Sequence, residues 1–556
     1  MFRLAAITVI AAIIAGAMTL AAFSGAGSGA QAAEPVFVRG GLVLPEAAAG
    51  AGSYRVNGRE AAVVPVPAGG VLLEYPWRPR ENVSLSWKEA GQERSLALRA
   101  PLRPTPQLWF RVAWPGRGVF STEPPRPLSA LAFSAKGEFL AAGSEGGEAR
   151  VFRVATGEQV WQLHRPGRVI KHLAFSGDGR RLYVGEQGPE GRLAAYDFRG
   201  GTDNPLWRFD TARELGETPP ADPADPYWWV PFPGAYRLEE RDGDLLAAYS
   251  HSWVRNGRRI ARARLYRLEG ASGRLRWAYP AEGPAEKLIT WFTTGATGAR
   301  VGLPLQLPLG AEPGVDGSSR LVLLDGASGA VAFDRAIPPV PPYAIATFWR
   351  GVAFAPDGEK LALSTQDGRS FLFRKTKAGW EEVRRLELAA TLKLAGTVIT
   401  ATNGTLAATA AEALFLTGPA YVPDPFRAEG AQPRLTHPQG NTLFAFGWEG
   451  EPHWRWRLDN DLQGLALAER VGILALAQGR EGPQPPGDFN GVALLKLPIR
   501  GEGRGQLLYR FPLAGRAVYG GVAVSGDGKW IAVAEAPRTV RGDARPRGRH
   551  GVTVLR

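Results

Sequence analysis

Residues 128–163 contain the pattern that decides the fold: LSALAFSAKGEFLAAGSEGGEARVFRVATGEQVWQL. The stretch predicts four short β-strands. Residues 129–134 alternate polar and apolar side chains, whereas residues 139–143 form a continuous apolar run, which is typical of a strand buried on both faces. Turns are predicted at Lys136-Gly137, Gly146-Gly147 and Thr156-Gly157. One sheet with two apolar faces cannot stand alone, so we expect further copies to stack on it.

The next copy follows directly along the chain. Leu173-Ala174-Phe175-Ser176 repeats Leu131-Ala132-Phe133-Ser134 at a spacing of 42 residues (175 − 133). A period in the low forties with four strands per unit is typical of a β-propeller. We therefore predict an all-β fold, an eight-bladed β-propeller, with seven blades as the alternative. The complete blades are expected near residues 128–163, 170–210, 235–280, 286–336, 350–386, 392–458 and 462–512.

Both ends of the repeat array hold an incomplete unit. Residues 109–114, followed by Pro115-Gly116-Arg117, resemble the last strand of the first complete blade. At the other end, residues 518–525, 530–534 and 551–555 provide three strands before the chain stops. We predict that the two fragments form one split blade, which closes the ring and removes its exposed edges.

The N-terminal part of the chain does not follow this period. Residues 1–32 are predicted to be a signal peptide, because an apolar run at residues 4–23 precedes Ala30-Gln31-Ala32, which has the form of a signal peptidase site. The alternative is an uncleaved membrane anchor. Either way, we expect a periplasmic or extracellular protein. Residues 33–102 contain short strands that predict a small, immunoglobulin-like β-sandwich, residues 103–107 a linker, and residues 108–556 the propeller.

Composition limits the classes of function. The chain has no cysteine, which excludes disulfides, thiolate metal sites and lipidation of an N-terminal cysteine. Its formal net charge of +13 is spread along the chain and favours an acidic partner without specifying one. Because the chain has no recognised nucleic-acid-binding module and is predicted to be exported, we expect no nucleic-acid partner. A membrane partner is expected only if the N-terminal segment is not cleaved.

Turns between the third and fourth strands carry a family resemblance. Ala155-Thr156-Gly157 precedes Trp161, Ala271-Ser272-Gly273 precedes Trp277, and Ala327-Ser328-Gly329 precedes Phe333. This spacing is similar to the tryptophan-docking repeat of eight-bladed pyrroloquinoline-quinone-type propellers. The Asp-Gly turns of the innermost strands resemble WD-repeat propellers equally well. The resemblance covers roughly residues 108–556 and implies a fold rather than a reaction, because the tryptophan of that repeat packs between blades. We expect a non-catalytic member.

Loop lengths indicate which face of the propeller binds. The turns between strands one and two and between strands three and four are short. Longer segments connect strands two and three or link one blade to the next, and these share the opposite face. The long segments are residues 210–235, 251–260, 310–319, 337–345, 418–441, 478–490 and 536–550.

Two sets of residues on the long segments are candidates for binding. Tyr227, Trp228, Trp229 and Phe232 stand beside prolines and could dock a protein or stack on sugars, or they could fold over the central channel as a lid. The second set could grip phosphates or carboxylates bidentately, or be a solvated loop. It comprises Arg541, Arg545, Arg547 and Arg549.

Evidence for catalysis is sparse. A quinone-dependent dehydrogenase needs a calcium ion held by carboxylates and amides, plus an aspartate base. The acids Asp222, Asp225 and Asp316 lie in contexts typical of turns, and His164 and His172 straddle a blade junction. We predict no catalytic residue, metal ligand or cofactor.

The sequence thus favours an exported, non-catalytic propeller that binds a protein partner or an acidic polymer. A pyrroloquinoline-quinone-dependent oxidoreductase and a structural subunit of an envelope or extracellular assembly are the alternatives.

Overall fold

The structure is a computed structural model, and it describes most of the chain beyond the predicted signal peptide. The described residues are 35–45, 53–89, 92–114, 128–216, 231–295, 298–308, 316–341, 343, 345–348, 350–389, 391–394, 397–421, 437–480, 482–498 and 503–556. Among them, no helix is long and apolar enough to span a bilayer.

The first eight strands form two four-stranded antiparallel sheets that share one core. The strands are β1 (Val36–Val38), β2 (Gly41–Leu44), β3 (Tyr54–Val56), β4 (Arg59–Glu60), β5 (Val63–Pro65), β6 (Val71–Glu74), β7 (Asn82–Glu89) and β8 (Gln92–Arg99). The sheet orders are β1-β2-β6-β5 and β4-β3-β7-β8. Leu42 and Leu73 of the first sheet pack in one cluster with Tyr54 and Leu85 of the second, which makes this unit the predicted β-sandwich.

The remaining described strands build eight blades. Blade one consists of β10 (Leu128–Phe133), β11 (Phe139–Ser144), β12 (Glu148–Arg153) and β13 (Gln159–His164), and blade two of β14 (Val169–Phe175), β15 (Leu182–Gln187), β16 (Arg192–Tyr196) and β17 (Trp207–Asp210). Blade three consists of β18 (Gly234–Arg241), β19 (Asp244–Arg255), β20 (Arg258–Glu269) and β21 (Leu275–Tyr279). Blade four consists of β22 (Thr293–Thr294), β23 (Arg300–Leu305), β24 (Ser319–Asp325) and β25 (Val331–Ile337). The described residues also include two short helical segments, α1 (Thr211–Leu215) and a 3-10 turn at Glu469–Val471.

Blades five to eight complete the ring. Blade five consists of β26 (Val352–Phe354), β27 (Lys360–Ser364), β28 (Arg369–Thr376) and β29 (Gly379–Glu387), and blade six of β30 (Leu392–Leu394), β31 (Thr397–Ala408), β32 (Ala413–Tyr421), β33 (Thr442–Phe446) and β34 (Pro452–Arg457). Blade seven consists of β35 (Leu462–Ala468), β36 (Ile473–Gln478), β37 (Gly491–Lys496) and β38 (Gln506–Pro512). Blade eight consists of β39 (Arg516–Val524), β40 (Ile531–Ala536) and β41 (Gly551–Leu555) together with β9 (Leu108–Ala113). First strands of neighbouring blades contact one another, so they surround a central channel.

Burial follows from this stacking of sheets. Every residue of the second strands β11, β15, β36 and β40 is buried, because neighbouring blades cover both faces of each sheet. The apolar run at residues 139–143 was the sequence signal for this environment. The predicted all-β propeller with a preceding β-sandwich is confirmed.

The eighth blade is the split blade. Its strand order is β39-β40-β41-β9, so the outermost strand comes from the start of the propeller and the other three come from the end of the chain. Val552 pairs with Val112 and Thr553 with Arg111 in an antiparallel register. The ring is therefore closed by backbone hydrogen bonds between segments more than 400 positions apart in sequence (552 − 112 = 440).

Tryptophans on the fourth strands of blades one, two and three connect each of these blades to the next. The indole nitrogens of Trp161, Trp207 and Trp277 donate to the carbonyl oxygens of Thr202, Gly270 and Gly326, at 2.8, 3.0 and 3.0 Å. Each acceptor lies in the turn between strands three and four of the following blade. The contact that the resemblance implied for Trp161 and Trp277, packing between blades, is therefore present, and Trp207 adds a third case.

The sandwich packs against the tight-turn face, which we define as the turns between strands one and two and between strands three and four. Val43 and Leu72 of the sandwich belong to the same buried cluster as Val154 and Trp530 of the propeller. The guanidinium of Arg556, the residue after β41, also lies 2.9 Å from the Glu74 carboxylate. Part of the tight-turn face is thus covered by the chain itself.

Candidate functional site

The long-loop face, formed by the connections between strands two and three and between blades, carries three cationic elements. They are the mouth of the central channel, an extended hairpin on blade three and the arginine-rich loop of blade eight.

Irregular pairing at the innermost strands shapes the channel mouth. The pairing of β14 with β15 shifts register between Ile170 and His172. The pairing of β18 with β19 shifts in the same way between Ala235 and Arg237. The extra residues, Lys171 and Tyr236, are left out of the ladder. A β-bulge of this kind re-aims a side chain, and both residues line the channel mouth.

A cavity of about 260 Å³ occupies the channel mouth. Its lining includes three cationic side chains, Lys171, Arg350 and Arg516, and one carboxylate, Glu145. Burial lowers the pKa of Lys171, and attraction to Glu145 opposes that shift. With three positive charges against one negative charge, the described lining attracts anions.

Arg350 is held in this cavity by two aromatic rings. Its guanidinium carbon lies 5.0 Å from the centroid of Trp291 and 5.3 Å from that of Tyr519, both within the range of a cation–π contact. Its backbone has φ +53°, a conformation that costs free energy for any residue with a side chain. In the described part of the chain, no carboxylate forms an ion pair with it.

His172 contributes a neutral imidazole to the same channel. Its Nδ1 accepts a hydrogen bond from the Leu238 backbone nitrogen at 3.3 Å, so the ring proton resides on Nε2. Burial, together with repulsion from Arg237 and Arg350, lowers the pKa of His172 to about 3. The charge of the channel mouth therefore comes from arginine and lysine and does not change with the protonation of this histidine near neutral pH.

Charges deeper in the channel are compensated. Glu239 accepts hydrogen bonds from Arg237 at 2.6 Å, from Arg241 at 2.8 Å and from the Thr294 hydroxyl. Burial opposes ionisation of Glu239, but the two guanidinium groups outweigh it and lower the pKa of this carboxyl. The excess of cationic over anionic side chains thus lies at the mouth, on the long-loop face.

Residues 251–260, predicted as a loop, are the far end of a two-stranded hairpin. Strands β19 and β20 pair continuously to Arg255 and Arg258, and Asn256 and Gly257 make the turn with φ +51° and +77°. Two positive φ values identify a type I′ turn, whose twist matches that of the paired strands. Arg255, Arg258 and Arg259 are exposed at the tip, so the hairpin carries positive charge away from the ring.

The arginine-rich loop between β40 and β41 has a fixed backbone. Arg541 donates its backbone N–H to Gln484 of the neighbouring blade at 2.8 Å, and Gln484 donates to Thr539 at 3.0 Å. Val540, between them, is 1% exposed. The loop is therefore anchored to blade seven, whereas Arg541, Arg545, Arg547 and Arg549 are exposed.

The predicted arginines do not share one environment. Arg547 forms an ion pair with Asp543, four residues before it, and this carboxylate partly neutralises the charge of Arg547. Arg541, Arg545 and Arg549 are exposed, and none of them forms an ion pair with a described residue. The structure brings all four predicted arginines into one loop and leaves these three available to a ligand.

The predicted aromatic patch is only partly described. Tyr227, Trp228 and Trp229 lie outside the described residues. Phe232 is 3% exposed, and its carbonyl oxygen accepts a hydrogen bond from the Gln187 side chain at 3.2 Å. Phe232 is thus part of the packing beneath the long-loop face rather than of its exposed surface.

The acidic and histidine candidates do not assemble into a site. Asp316 is exposed and accepts the backbone N–H of Ser318 at 2.9 Å, as in a turn, whereas Asp222 and Asp225 lie outside the described residues. His164 is exposed on the outer strand β13, while His172 faces the channel. In the described ranges, no three His, Asp or Glu side chains are grouped to hold a metal ion.

Sequence reasoning did not identify the channel mouth. The available signal was the presence of Lys171-His172 and Tyr236-Arg237 in strands whose repeats are otherwise apolar, as in Leu131-Ala132-Phe133 of blade one. Arg350 precedes β26, Arg516 is the first residue of β39, and neither gave a signal of its own.

Comparisons with known proteins agree with the fold. Residues 117–202 match a family model described as the anaphase-promoting complex subunit 4 WD40 domain, which covers 86 of the 556 residues (202 − 117 + 1). No curated protein sequence matches the chain. The chain's relation to quinone-type propellers stays a prediction.

Solved structures that resemble the chain are propellers of low sequence identity. BamB from Moraxella catarrhalis is 15% identical with a TM-score of 0.42, covering 81% of this chain and 98% of that one. The β-propeller domain of Cps50 (Swd1) from Myceliophteria thermophila is 11% identical with a TM-score of 0.40, covering 81% and 99%. U3-55K is 11% identical with a TM-score of 0.41, covering 78% and 96%. Likeness at this level does not identify a function.

Proposed function

We propose that the protein is a non-catalytic binding propeller that holds an acidic protein partner or an acidic polymer on its long-loop face. The observation that carries this proposal is the distribution of exposed cations. Arg541, Arg545 and Arg549 lie on a loop with a fixed backbone, on the same face as the basic hairpin tip and the cationic channel mouth. The opposite face is partly occupied by the sandwich.

The fixed backbone of the arginine-rich loop matters for affinity. Guanidinium groups recognise carboxylates and phosphates with two parallel hydrogen bonds, which requires a defined orientation. Because Val540 is buried and Arg541 is tied to Gln484, the loop need not be ordered when a ligand binds. A smaller ordering cost leaves more of the interaction free energy for binding.

A quinone-dependent oxidoreductase is the second candidate. Its calcium ion would require several carboxylate or amide oxygens at the channel, and the described lining of the mouth offers Glu145 among three cations. These residues do not fit a calcium site. A structural subunit of an envelope or extracellular assembly is the third candidate and would use the same face.

We further propose that the protein is exported and that its signal peptide is cleaved after Ala32. The support is the apolar run at residues 4–23 followed by Ala30-Gln31-Ala32. Mass spectrometry of the native protein should find a chain that begins at Ala33. An intact Met1 in the membrane fraction would instead indicate an anchored protein.

Capture of a partner from the native envelope tests the main proposal. The protein is immobilised, and the partners retained by it are compared with those of a variant in which Arg541, Arg545 and Arg549 are replaced by Gln. Arg547 is left unchanged so that Asp543 keeps its ion partner. The matched control replaces Lys136 and Arg180, exposed cations on the tight-turn face, by Gln.

We expect the arginine variant to lose the partner and the control to retain it. The difference should be largest at low salt, because exposed charges are screened beyond about 10 Å at roughly 0.1 M ionic strength. Replacing Trp228 and Trp229 by Ala tests the predicted aromatic patch in the same assay. Equal capture by all variants would reject the long-loop face. Dye reduction with added calcium, pyrroloquinoline quinone and an alcohol or aldose would favour the enzyme instead.

A further inference from the structure

A second charged cavity lies on the other side of the ring, between the sandwich and blades seven and eight. This sandwich cleft has a volume of about 420 Å³. Four cationic and two anionic side chains line it, which leaves an excess of two positive charges (4 − 2). They are Arg39 and Glu74 from the sandwich, and Lys496, Asp527, Lys529 and Arg556 from the propeller.

The terminal nitrogens of Arg39 have no hydrogen-bond partner in the described structure, although Asp527 attracts its charge from beyond ion-pair distance. Both terminal nitrogens of its guanidinium, Nη1 and Nη2, are buried and make no hydrogen bond in the described structure. A buried charged donor left unsatisfied is strongly unfavourable, because it has lost water without gaining a protein acceptor. Native structures rarely leave such a group without a water or an ion.

The carboxylates of the cleft are already engaged. Glu74 lies 2.9 Å from the Arg556 guanidinium. One oxygen of Asp527 accepts hydrogen bonds from the Ser525 hydroxyl at 2.6 Å and the Lys529 backbone nitrogen at 3.0 Å, and the other lies 3.8 Å from the Lys529 ammonium. Neither carboxylate forms an ion pair with Arg39.

Neighbouring cations repel the charge of Arg39. Burial lowers the pKa of Arg39, Tyr509 and Asp527 oppose that shift, and the nearby Arg556 adds a smaller lowering contribution. Burial and Arg39 lower the pKa of Lys496. The Arg556 Nε and the Tyr509 hydroxyl are also buried without a hydrogen-bond partner. The cleft thus contains like charges that repel each other and several donors that lack an acceptor.

We propose that the sandwich cleft binds a small multivalent oxyanion, such as phosphate or a polycarboxylate, through the Arg39 guanidinium and the Lys496 ammonium. Such an anion would accept hydrogen bonds from Nη1 and Nη2 in the paired geometry that guanidinium favours. It would also neutralise the repulsion between Arg39, Lys496 and Arg556. Because it contacts both units, the bound anion would fasten the sandwich to the propeller. This site is independent of the partner proposed for the long-loop face.

Titration calorimetry on the purified protein tests the proposal, with inorganic phosphate and citrate as separate probes and sodium chloride as the ionic-strength control. We expect saturable binding of at least one of the two oxyanions and a higher unfolding temperature in its presence. Arg39→Met should weaken binding about tenfold or more, as expected for the loss of a charge-assisted hydrogen bond. Arg180→Met, which removes an exposed arginine of blade two that does not line the cleft, is the matched control and should bind normally.

Thermal unfolding without the oxyanion provides a second readout. Arg39→Met removes an unsatisfied buried charge and should unfold at the same temperature as the wild type or higher, but it should no longer respond to the anion. Lys496→Met gives an independent variant if Arg39→Met does not fold. Wild-type protein that shows no phosphate or citrate effect beyond that of sodium chloride overturns the proposal. An unchanged effect in both variants does so as well.

Discussion

The indole nitrogen of Trp109 donates a 2.8 Å hydrogen bond to the carbonyl oxygen of Val154. Trp109 lies on the last strand of the split blade, and Val154 lies beside the third strand of blade one. The ring of Trp109 is fully buried and lies 4.8 Å from that of Trp530, the residue before β40. The closing blade is therefore docked on its neighbour by the same kind of contact that joins blades one, two, three and four.

Removal of residues 551–556 should open this ring. Strand β41 pairs with β40 on one side and β9 on the other, and all five of its residues are buried. Burial of one large apolar side chain contributes about 1.5–3 kcal/mol, and the strand holds Val552, Val554 and Leu555. We expect a sharp fall in the unfolding temperature measured by differential scanning calorimetry. An unchanged melting curve would contradict the assignment of the split blade.

A matched pair of glycine substitutions tests the docking of tryptophans on the turns. Gly329 and Gly201 both have positive φ, +74° and +70°. An added Cβ at Gly329 would lie 2.8 Å from the Trp277 ring, whereas at Gly201 it would meet no atom within 4 Å. Each Ala variant incurs the left-handed backbone cost of about 1–2 kcal/mol, and Gly329→Ala adds an overpacking cost of about 1–3 kcal/mol.

Urea unfolding of the two glycine variants gives the comparison directly. We expect Gly329→Ala to be the less stable of the two, with the difference reporting the contact with Trp277 alone. Equal destabilisation would mean that the indole adjusts freely and that blade docking does not depend on this contact.

The repeat period and the turn chemistry made the propeller predictable, because each blade reuses the same local pattern of apolar residues and Gly turns. The hairpin of blade three was missed since its tip, Arg255-Asn256-Gly257-Arg258, has no apolar alternation. Those strands are held by pairing with each other rather than by burial in the ring. Charged residues in a hairpin that extends beyond the ring therefore lack the apolar alternation from which a strand is predicted.

The candidate site was predictable only where its residues are adjacent in sequence. The arginine-rich loop is one segment, and the sequence identified it. Lys171, Arg350 and Arg516 come from three blades and meet because the ring closes, which no local pattern reveals. The packing of the sandwich on the tight-turn face, and with it the position of Arg39, depends in the same way on tertiary contacts.

His251 should make stability depend on pH in the acidic range. It is 1% exposed, its Nδ1 lies 3.0 Å from the Pro231 carbonyl oxygen, and burial, with a smaller contribution from Arg262, lowers its pKa to about 4. Below about pH 6.5 the unfolded chain binds a proton that the native His251 does not, so stability falls as the pH falls from about 6.5 to about 4. The slope from this group is at most about 1.4 kcal/mol per pH unit.

Unfolding free energies of the wild type and His251→Asn across this pH range measure the effect. Asn can still donate to the Pro231 carbonyl oxygen but does not titrate, so the variant should lose stability less steeply on acidification. His164→Asn, at an exposed histidine on β13, controls for the loss of an imidazole. Parallel curves for the wild type and His251→Asn would contradict the expectation.

The hairpin tip and the arginine-rich loop should contribute separately to the capture of anionic partners. They lie on blades three and eight, and residues that share no contacts usually have additive effects on binding free energy. Polyglutamate of defined length is a suitable probe, because its binding can be followed by surface plasmon resonance at several salt concentrations. One variant replaces Arg255, Arg258 and Arg259 by Gln, a second replaces Arg541, Arg545 and Arg549, and a third combines both sets.

We expect each set to lower the association rate and to flatten its dependence on salt, since exposed charges act mainly by steering the encounter. The combined variant should show the sum of the two effects in free energy. The variant with Lys136 and Arg180 replaced by Gln removes two cations from the opposite face and controls for the change in net charge. The fall in association rate is divided by the number of charges removed and compared between the control and the hairpin variant. If the two values are equal, the polymer responds to net charge alone. The long-loop face would then have no special role in binding it.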